Sequence, residues 1–254
     1  MKAMADPEKL TAAEFARFFD HTFLKAAGEP DAVRRLCREA RKYGFASVCV
    51  NPCEVLHAAK LLEGSGVKVC TVIGFPLGQS TEMMKFIEAT SAVGHGAEEL
   101  DFVVNVRRLK EAARGVKAAI RALKTELGAC VAAAGRPFSA DGGGSGKIVA
   151  KLIIECCYLT DDEKRFACGV AKDVGFDFVK TSTGFGTGGA TEADVRLMRR
   201  AVGPGMGVKA AGGIRTLADA FAMIRAGATR LGSSASVSIM KEFANVKRPG
   251  LCEE

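Results

Sequence analysis

The chain has no CxxC pair, no HExxH or HxH spacing, and no apolar run long enough to span a membrane. Its nine cysteines, at 37, 49, 53, 70, 130, 156, 157, 168 and 252, are too sparse for a disulfide framework. Reduced thiols in a cytoplasmic protein are the simplest reading. His21, His57 and His95 stand far apart, so no metal centre is expected. Residues 7–19 carry charges throughout in an amphipathic pattern, which reads as a helix and not as a signal peptide. A basic stripe is also missing. Lys and Arg number 36 against 29 Asp and Glu, a net charge of +7, but they are spread among acidic neighbours. Nucleic-acid binders concentrate such an excess, so neither nucleic acid nor membrane is an expected partner. The surplus suits an anionic ligand, or equally a solvated basic surface.

What the chain does contain is alternation. Strand-like runs at 20–24, 47–51, 68–76, 99–105, 148–155 and 229–234, with two more around Lys180 and Lys209, are separated by helical stretches. These helices are read at 31–43, 80–95 and 108–127, and onward from Thr160 and Thr191. Eight such units predict one α/β domain over 1–254, a TIM (β/α)8 barrel at about 20–240 with an extra N-terminal helix. An open doubly wound sheet would place a GxGxxG turn after its first strand, and none stands there. Residues 135–146 are glycine-rich and read as a flexible loop, too short to divide domains.

Alternate strand residues of a barrel face the lumen or the helices. Leu100, Phe102 and Val104 form an apolar parity in the fourth strand, leaving Asp101, Val103 and Asn105 inward. The same parity turns Phe178, Lys180 and Ser182, then Lys209, Lys151, Cys49, Asp20 and Thr22 toward the lumen. A structural core would use branched aliphatics, so three lysines and two aspartates describe a reaction chamber. For Lys151 a structural ion pair and a supporting role both stay open, as do a rim salt bridge and a functional role for Asp20.

Lysine attacks a carbonyl only when uncharged, and with a free value near ~10.4 only about one in two thousand is competent at neutral pH. A second ammonium and desolvation both disfavour the charge, so two lysines in one site can supply a nucleophile. Asp101 can then move protons. The implied class is a metal-free aldol reaction through a Schiff base, with no cofactor. Spacing treats Lys180 and Lys209 alike as imine formers. Gly184, the Gly212-Gly213 pair and Gly232-Ser233-Ser234 lie where barrels bind phosphate through backbone N–H groups, which points to a phosphorylated substrate.

These residues resemble the deoxyribose-phosphate aldolase family. The matching segments are Asp20-His21-Thr22-Phe23-Leu24-Lys25, Val48-Cys49-Val50-Asn51-Pro52, Val72-Ile73-Gly74-Phe75-Pro76, Glu99-Leu100-Asp101-Phe102-Val103-Val104-Asn105, Lys151-Leu152-Ile153-Ile154-Glu155, Lys180-Thr181-Ser182-Thr183-Gly184-Phe185 and Lys209-Ala210-Ala211-Gly212-Gly213-Ile214-Arg215. The resemblance implies reversible cleavage of 2-deoxy-D-ribose 5-phosphate to D-glyceraldehyde 3-phosphate and acetaldehyde. It ranks Lys180 as the Schiff-base lysine, Lys209 as the lysine that tunes it and Asp101 as the proton-transfer residue. It assigns the glycine turns, with Thr183, to substrate binding, and allows a homo-oligomer. Three features depart from the family pattern: the long loop at 135–146, Ala235 where a second serine is common, and the ending Leu251-Cys252-Glu253-Glu254 in place of a tyrosine.

Overall fold

The structure is a computed structural model that describes residues 6–135 and 148–246. A short 3-10 turn, Pro7–Lys9, precedes α1 (Ala12–Ala16), β1 (Phe19–Phe23), α2 (Ala32–Tyr43), β2 (Ser47–Val50) and α3 (Val55–Leu62). Next come β3 (Lys68–Ile73), α4 (Glu82–Gly94), β4 (Glu99–Val103), α5 (Val106–Ala113) and α6 (Lys117–Gly135). The chain continues with β5 (Val149–Ile153), α7 (Asp161–Val174), β6 (Phe178–Lys180) and α8 (Glu192–Val202). It closes with β7 (Gly207–Ala211), α9 (Leu217–Ala226), β8 (Arg230–Ser233) and α10 (Ser236–Val246). All eight strands pair parallel in sequence order, and β8 returns to β1 through Phe19↔Leu231, Asp20↔Gly232 and His21↔Ser233. The expected TIM barrel is present.

Local chemistry sets the boundaries. Thr160 opens α7 with a capping box to Glu163, and Thr216 does the same for α9 with Asp219, satisfying amide donors that lack partners inside the helix. In α2 the buried residues Val33, Leu36, Cys37 and Ala40 recur at helical spacing and face the barrel. The helix expected at 108–127 is two helices: Gly115 adopts φ +86°, a left-handed conformation that ends α5 and starts a new direction. The N-terminal helix is likewise shorter than its charge pattern implied, because Thr11 caps α1 only after the 3-10 turn. The stretch at 136–147 and the chain from 247 lie outside the described residues, so the long loop and the terminal tail are not placed.

The strands divide the core by parity. Val48, Leu100, Phe102, Leu152, Val179, Val208, Ala210 and Leu231 face the helix layer with at most 2% exposure, each removing roughly 1.5–3 kcal/mol of apolar surface from water where the side chain is large. The other parity lines the lumen with polar groups. Asn105 departs from its expected inward place: it lies beyond β4 and caps α5, its carboxamide oxygen accepting from Arg108 N at 3.1 Å. Among the described residues no helix is long and apolar enough to cross a membrane.

Candidate active site

The inward parity of six strands converges on one charge network. Asp101 of β4 sits at its centre: Oδ1 meets Lys151 Nζ at 2.9 Å, and Oδ2 meets Lys180 Nζ at 2.8 Å and Lys209 Nζ at 2.6 Å. Register explains the convergence, since Asp101 pairs with Lys151 across β4 and β5, and Lys180 with Lys209 across β6 and β7. Lys209 also holds Asp20 Oδ2 at 2.5 Å. Arg230 links Asp20 Oδ1 at 2.5 Å to Glu99 Oε2 at 2.9 Å, and Glu99 Oε2 returns to Lys151 at 2.6 Å. Arg230, Asp20, Lys209, Asp101, Lys151 and Glu99 therefore form a closed ring, and among the described residues Lys180 is attached to it at Asp101 alone.

Burial makes this ring expensive, at several kcal/mol per ion before pairing. Burial raises the Asp101 carboxyl, but Lys151, Lys180 and Lys209 outweigh it and hold it well below the carboxylate range. Asp20 is held low in the same way, burial being overcome by Arg230 and then by Lys209 and Lys151. Burial lowers Lys209 and Lys151, yet their carboxylates push both above the ordinary lysine value. Both carboxylates around Lys209 therefore favour its ammonium form. Four cations share three carboxylates, and Lys180 is the one with a single carboxylate partner and a trace of exposure, 3% against 0% for Lys151 and Lys209. That asymmetry separates two lysines that spacing could not rank.

The remaining expected residues fall into three places. Lys151 lies beneath Asp101, also touching Cys70 Sγ at 3.4 Å, and supports the carboxylate from within the barrel. Cys49 is fully buried beside Cys70, whose hydrogen bond holds the Cys49 thiol below its usual value against the effect of burial. Thr22 is half-buried, its hydroxyl donating to Asp20 O at 2.8 Å. At the mouth, Gly184, Gly213 and Ser234 are exposed, and Gly212 packs so closely that an added Cβ would lie 3.0 Å from Gly189 Cα and 3.5 Å from Gly184 Cα. Ser233 Oγ donates to Ile214 O at 2.7 Å and accepts from Ala235 N at 2.9 Å, so it braces the turn. Thr183 is braced as well, by Glu155. Gly232 belongs to β8, not to the turn after it, and clears space for Lys209: a Cβ there would stand 3.2 Å from Lys209 Cε.

Four residues of the network were not singled out from the sequence. Glu99 and Arg230 share the inward parity of Asp101 and Gly232, a signal that was available. Cys70 and Ser47, the latter donating to Asp20 Oδ1 at 2.7 Å, read as ordinary strand residues. Ser182, expected inward, lies just beyond β6 and is buried; among the described residues its hydroxyl has no hydrogen-bond partner. Ligand atoms of Cys49, Cys70 and Asp101 lie within 4.8 Å of one another, as do those of Asp20, Cys70 and Glu99. A metal cation at either would stand among lysine ammonium and arginine guanidinium groups, so these sets do not suit one.

No family model matches the chain. It is 51% identical over 230 residues to a deoxyribose-phosphate aldolase of Streptococcus equi subsp. zooepidemicus, covering 90% of this chain and 97% of that one. To a deoxyribose-phosphate aldolase of Caldanaerobacter subterraneus it is 49% identical over 236 residues, covering 93% and 95%. The fold superposes on a solved tetrameric deoxyribose phosphate aldolase of Aeropyrum pernix with a TM-score of 0.76 and 32% identity, over 95% of this chain and 98% of that one. With its barrel, its lysine-rich lumen and relatives of this likeness, the chain is an aldolase and belongs to the deoxyribose-phosphate aldolase family.

Proposed function

We propose that the lumen cleaves 2-deoxy-D-ribose 5-phosphate reversibly to D-glyceraldehyde 3-phosphate and acetaldehyde, through a Schiff base on Lys180. The observation that carries this reading is the surplus cation: with Lys180 uncharged, three cations face three carboxylates. Neutral Lys180 adds to the C1 aldehyde and water leaves, giving an iminium. A base takes the proton of the C3 hydroxyl, the C2–C3 bond breaks, and its electron pair is held as an enamine. Glyceraldehyde 3-phosphate departs, the enamine carbon is protonated, and water releases acetaldehyde and the amine. Asp101 serves as the proton carrier. When Lys180 gives up its charge, Asp101 keeps two ammonium partners instead of three and becomes a better acceptor. Lys209, 2.6 Å from the same oxygen, keeps Asp101 paired when Lys180 is engaged with the substrate.

The exposed Gly184 and Gly213, with Ser234 just before α10, take the substrate phosphate, whose charge suits backbone amides and a helix start. The apolar residues Met83, Met84 and Ile87 exposed on α4 suit assembly of like chains. The test is to mix enzyme, substrate and borohydride and locate the adduct by mass spectrometry. A reduced adduct on Lys180, acetaldehyde release unchanged by chelators, and neither adduct nor release in Lys180→Ala are the expected results. An adduct on Lys209 would reverse the assignment.

A further inference from the structure

Glu155 follows β5 and is the one residue other than glycine with a positive φ among the described residues, at φ 54° and ψ 69°. A β-carbon crowds the carbonyl in that region, so glycine is the residue that accepts it readily. Glu155 is also 97% buried, and among the described residues no cation pairs with its carboxylate. Left-handed backbone and a buried carboxyl group without a cation are both unfavourable, and where they coincide beside a reactive site the surroundings must hold the residue for a purpose.

Its contacts show what it holds. Thr183 N donates to Oε1 at 3.1 Å and to Oε2 at 3.3 Å, and Thr183 Oγ1 donates to Oε2 at 2.5 Å. Thr183 Oγ1 in turn accepts from Phe185 N at 3.0 Å. The loop then passes directly over the same turn: a Cβ on Gly186 would lie 2.9 Å from Cys157 Sγ and 3.3 Å from Glu155 Cδ. Its far flank is pinned to the β7 turn, where Ala190 N donates to Gly212 O at 3.0 Å. Lys180 lies upstream of this clamp, fixed by strand bonds such as Ile154 N to Lys180 O at 3.0 Å.

We infer that Glu155 is a positioning residue that acts through Thr183 to hold the loop after β6 in the conformation that presents Gly184 to the substrate's anionic end. The inference rests on the phosphate placement proposed above. Because the clamp is downstream of the lysine, it governs recognition of the phosphate and leaves imine formation to the strand.

The test uses Glu155→Gly, which relieves the left-handed backbone, and Glu155→Gln, which keeps the side chain's shape but not both acceptor oxygens. Expected in both are amide exchange at Thr183 and Phe185 at least tenfold faster and a KM for deoxyribose 5-phosphate at least tenfold higher. Turnover of unphosphorylated 2-deoxyribose should stay within twofold of the parent enzyme, and Glu155→Gly should melt no lower than the parent. Equal losses on the two sugars, or unchanged exchange at Thr183, would overturn the inference. A parent enzyme that treated both sugars alike, and whose turnover inorganic phosphate did not inhibit, would overturn the phosphate placement instead. Loop exchange would then still decide whether Glu155 is a clamp.

Discussion

Two regions of the molecule bury lysine completely, and they differ in what lies beside the charge. In the helix layer outside the barrel, Lys85 of α4 donates to Glu126 at 2.6 Å and to the Val103 carbonyl at 2.7 Å. Arg108 closes on the other Glu126 oxygen at 2.6 Å. Gly74 lies against the lysine stem, where a Cβ would meet Lys85 Cε at 2.7 Å, so the ammonium has no path to a ligand. In the lumen, four cations share three carboxylates, and Lys180 is the one lysine of the three with any exposure. Depth of burial is alike in the two regions. Lys85 and Lys180 each meet one carboxylate, so what separates scaffold from reactive site is the opening beside the amine, absent at Lys85 and present at Lys180.

The comparison breaks most sharply at the two lysines themselves. Lys180→Ala should lower acetaldehyde release by ~10⁴-fold or more, because the covalent route is lost while the fold remains. A variant retaining a tenth of the activity would mean that Lys180 belongs with Lys85 as scaffold. Next in size, Lys209→Met should reduce turnover at neutral pH by about 10²-fold and move the activity profile to higher pH, since the ammonium beside the reactive amine is gone. A profile that stayed in place would remove Lys209 from that role.

Lys85→Met should act on stability instead, costing about 3 kcal/mol in urea unfolding because Glu126 stays buried with one partner fewer. The kcat of the folded fraction should hold. Replacing Lys85 and Glu126 together with apolar residues of similar volume should recover much of that loss, as expected for a closed pair. A fall in kcat with unchanged stability would contradict the assignment of this region.

The smallest effect concerns pH. Asp20 and Asp101 titrate below their ordinary value in the folded protein, so their contribution is present above the unfolded value of ~3.9 and is lost as pH falls below it. Lys151 and Lys209 titrate above theirs, so their share is complete below ~10.4 and is lost as pH rises through the raised values. Urea midpoints should therefore fall on the acid side below about pH 4, and Asp101→Asn should flatten that fall. The same acid slope in Asp101→Asn would show that the lumen network does not carry it.

Much of this was legible in the chain. Strand parity placed Asp101, Lys151, Lys180 and Lys209 in one lumen because β geometry alternates faces at every residue. The same rule, carried one turn lower, reaches Glu99 and Arg230, whose partners lie as far as 210 residues away. Lys85 was not legible. On a helix with charged neighbours it reads as a surface lysine, and only the packing of α4 on α6 seals it. Glu155 was equally hidden, since nothing in Ile154-Glu155-Cys156 announces a left-handed residue.

By itself, then, the sequence determined the barrel and its lining: alternation with period two, helix caps and short connections admit few other arrangements. It also put both lysines in the same chamber. How many carboxylates each of them meets was decided only in three dimensions, because charge balance depends on distances between side chains from different strands. Asp20 and Asp101 both claim Lys209, whereas among the described residues Lys180 has Asp101 alone.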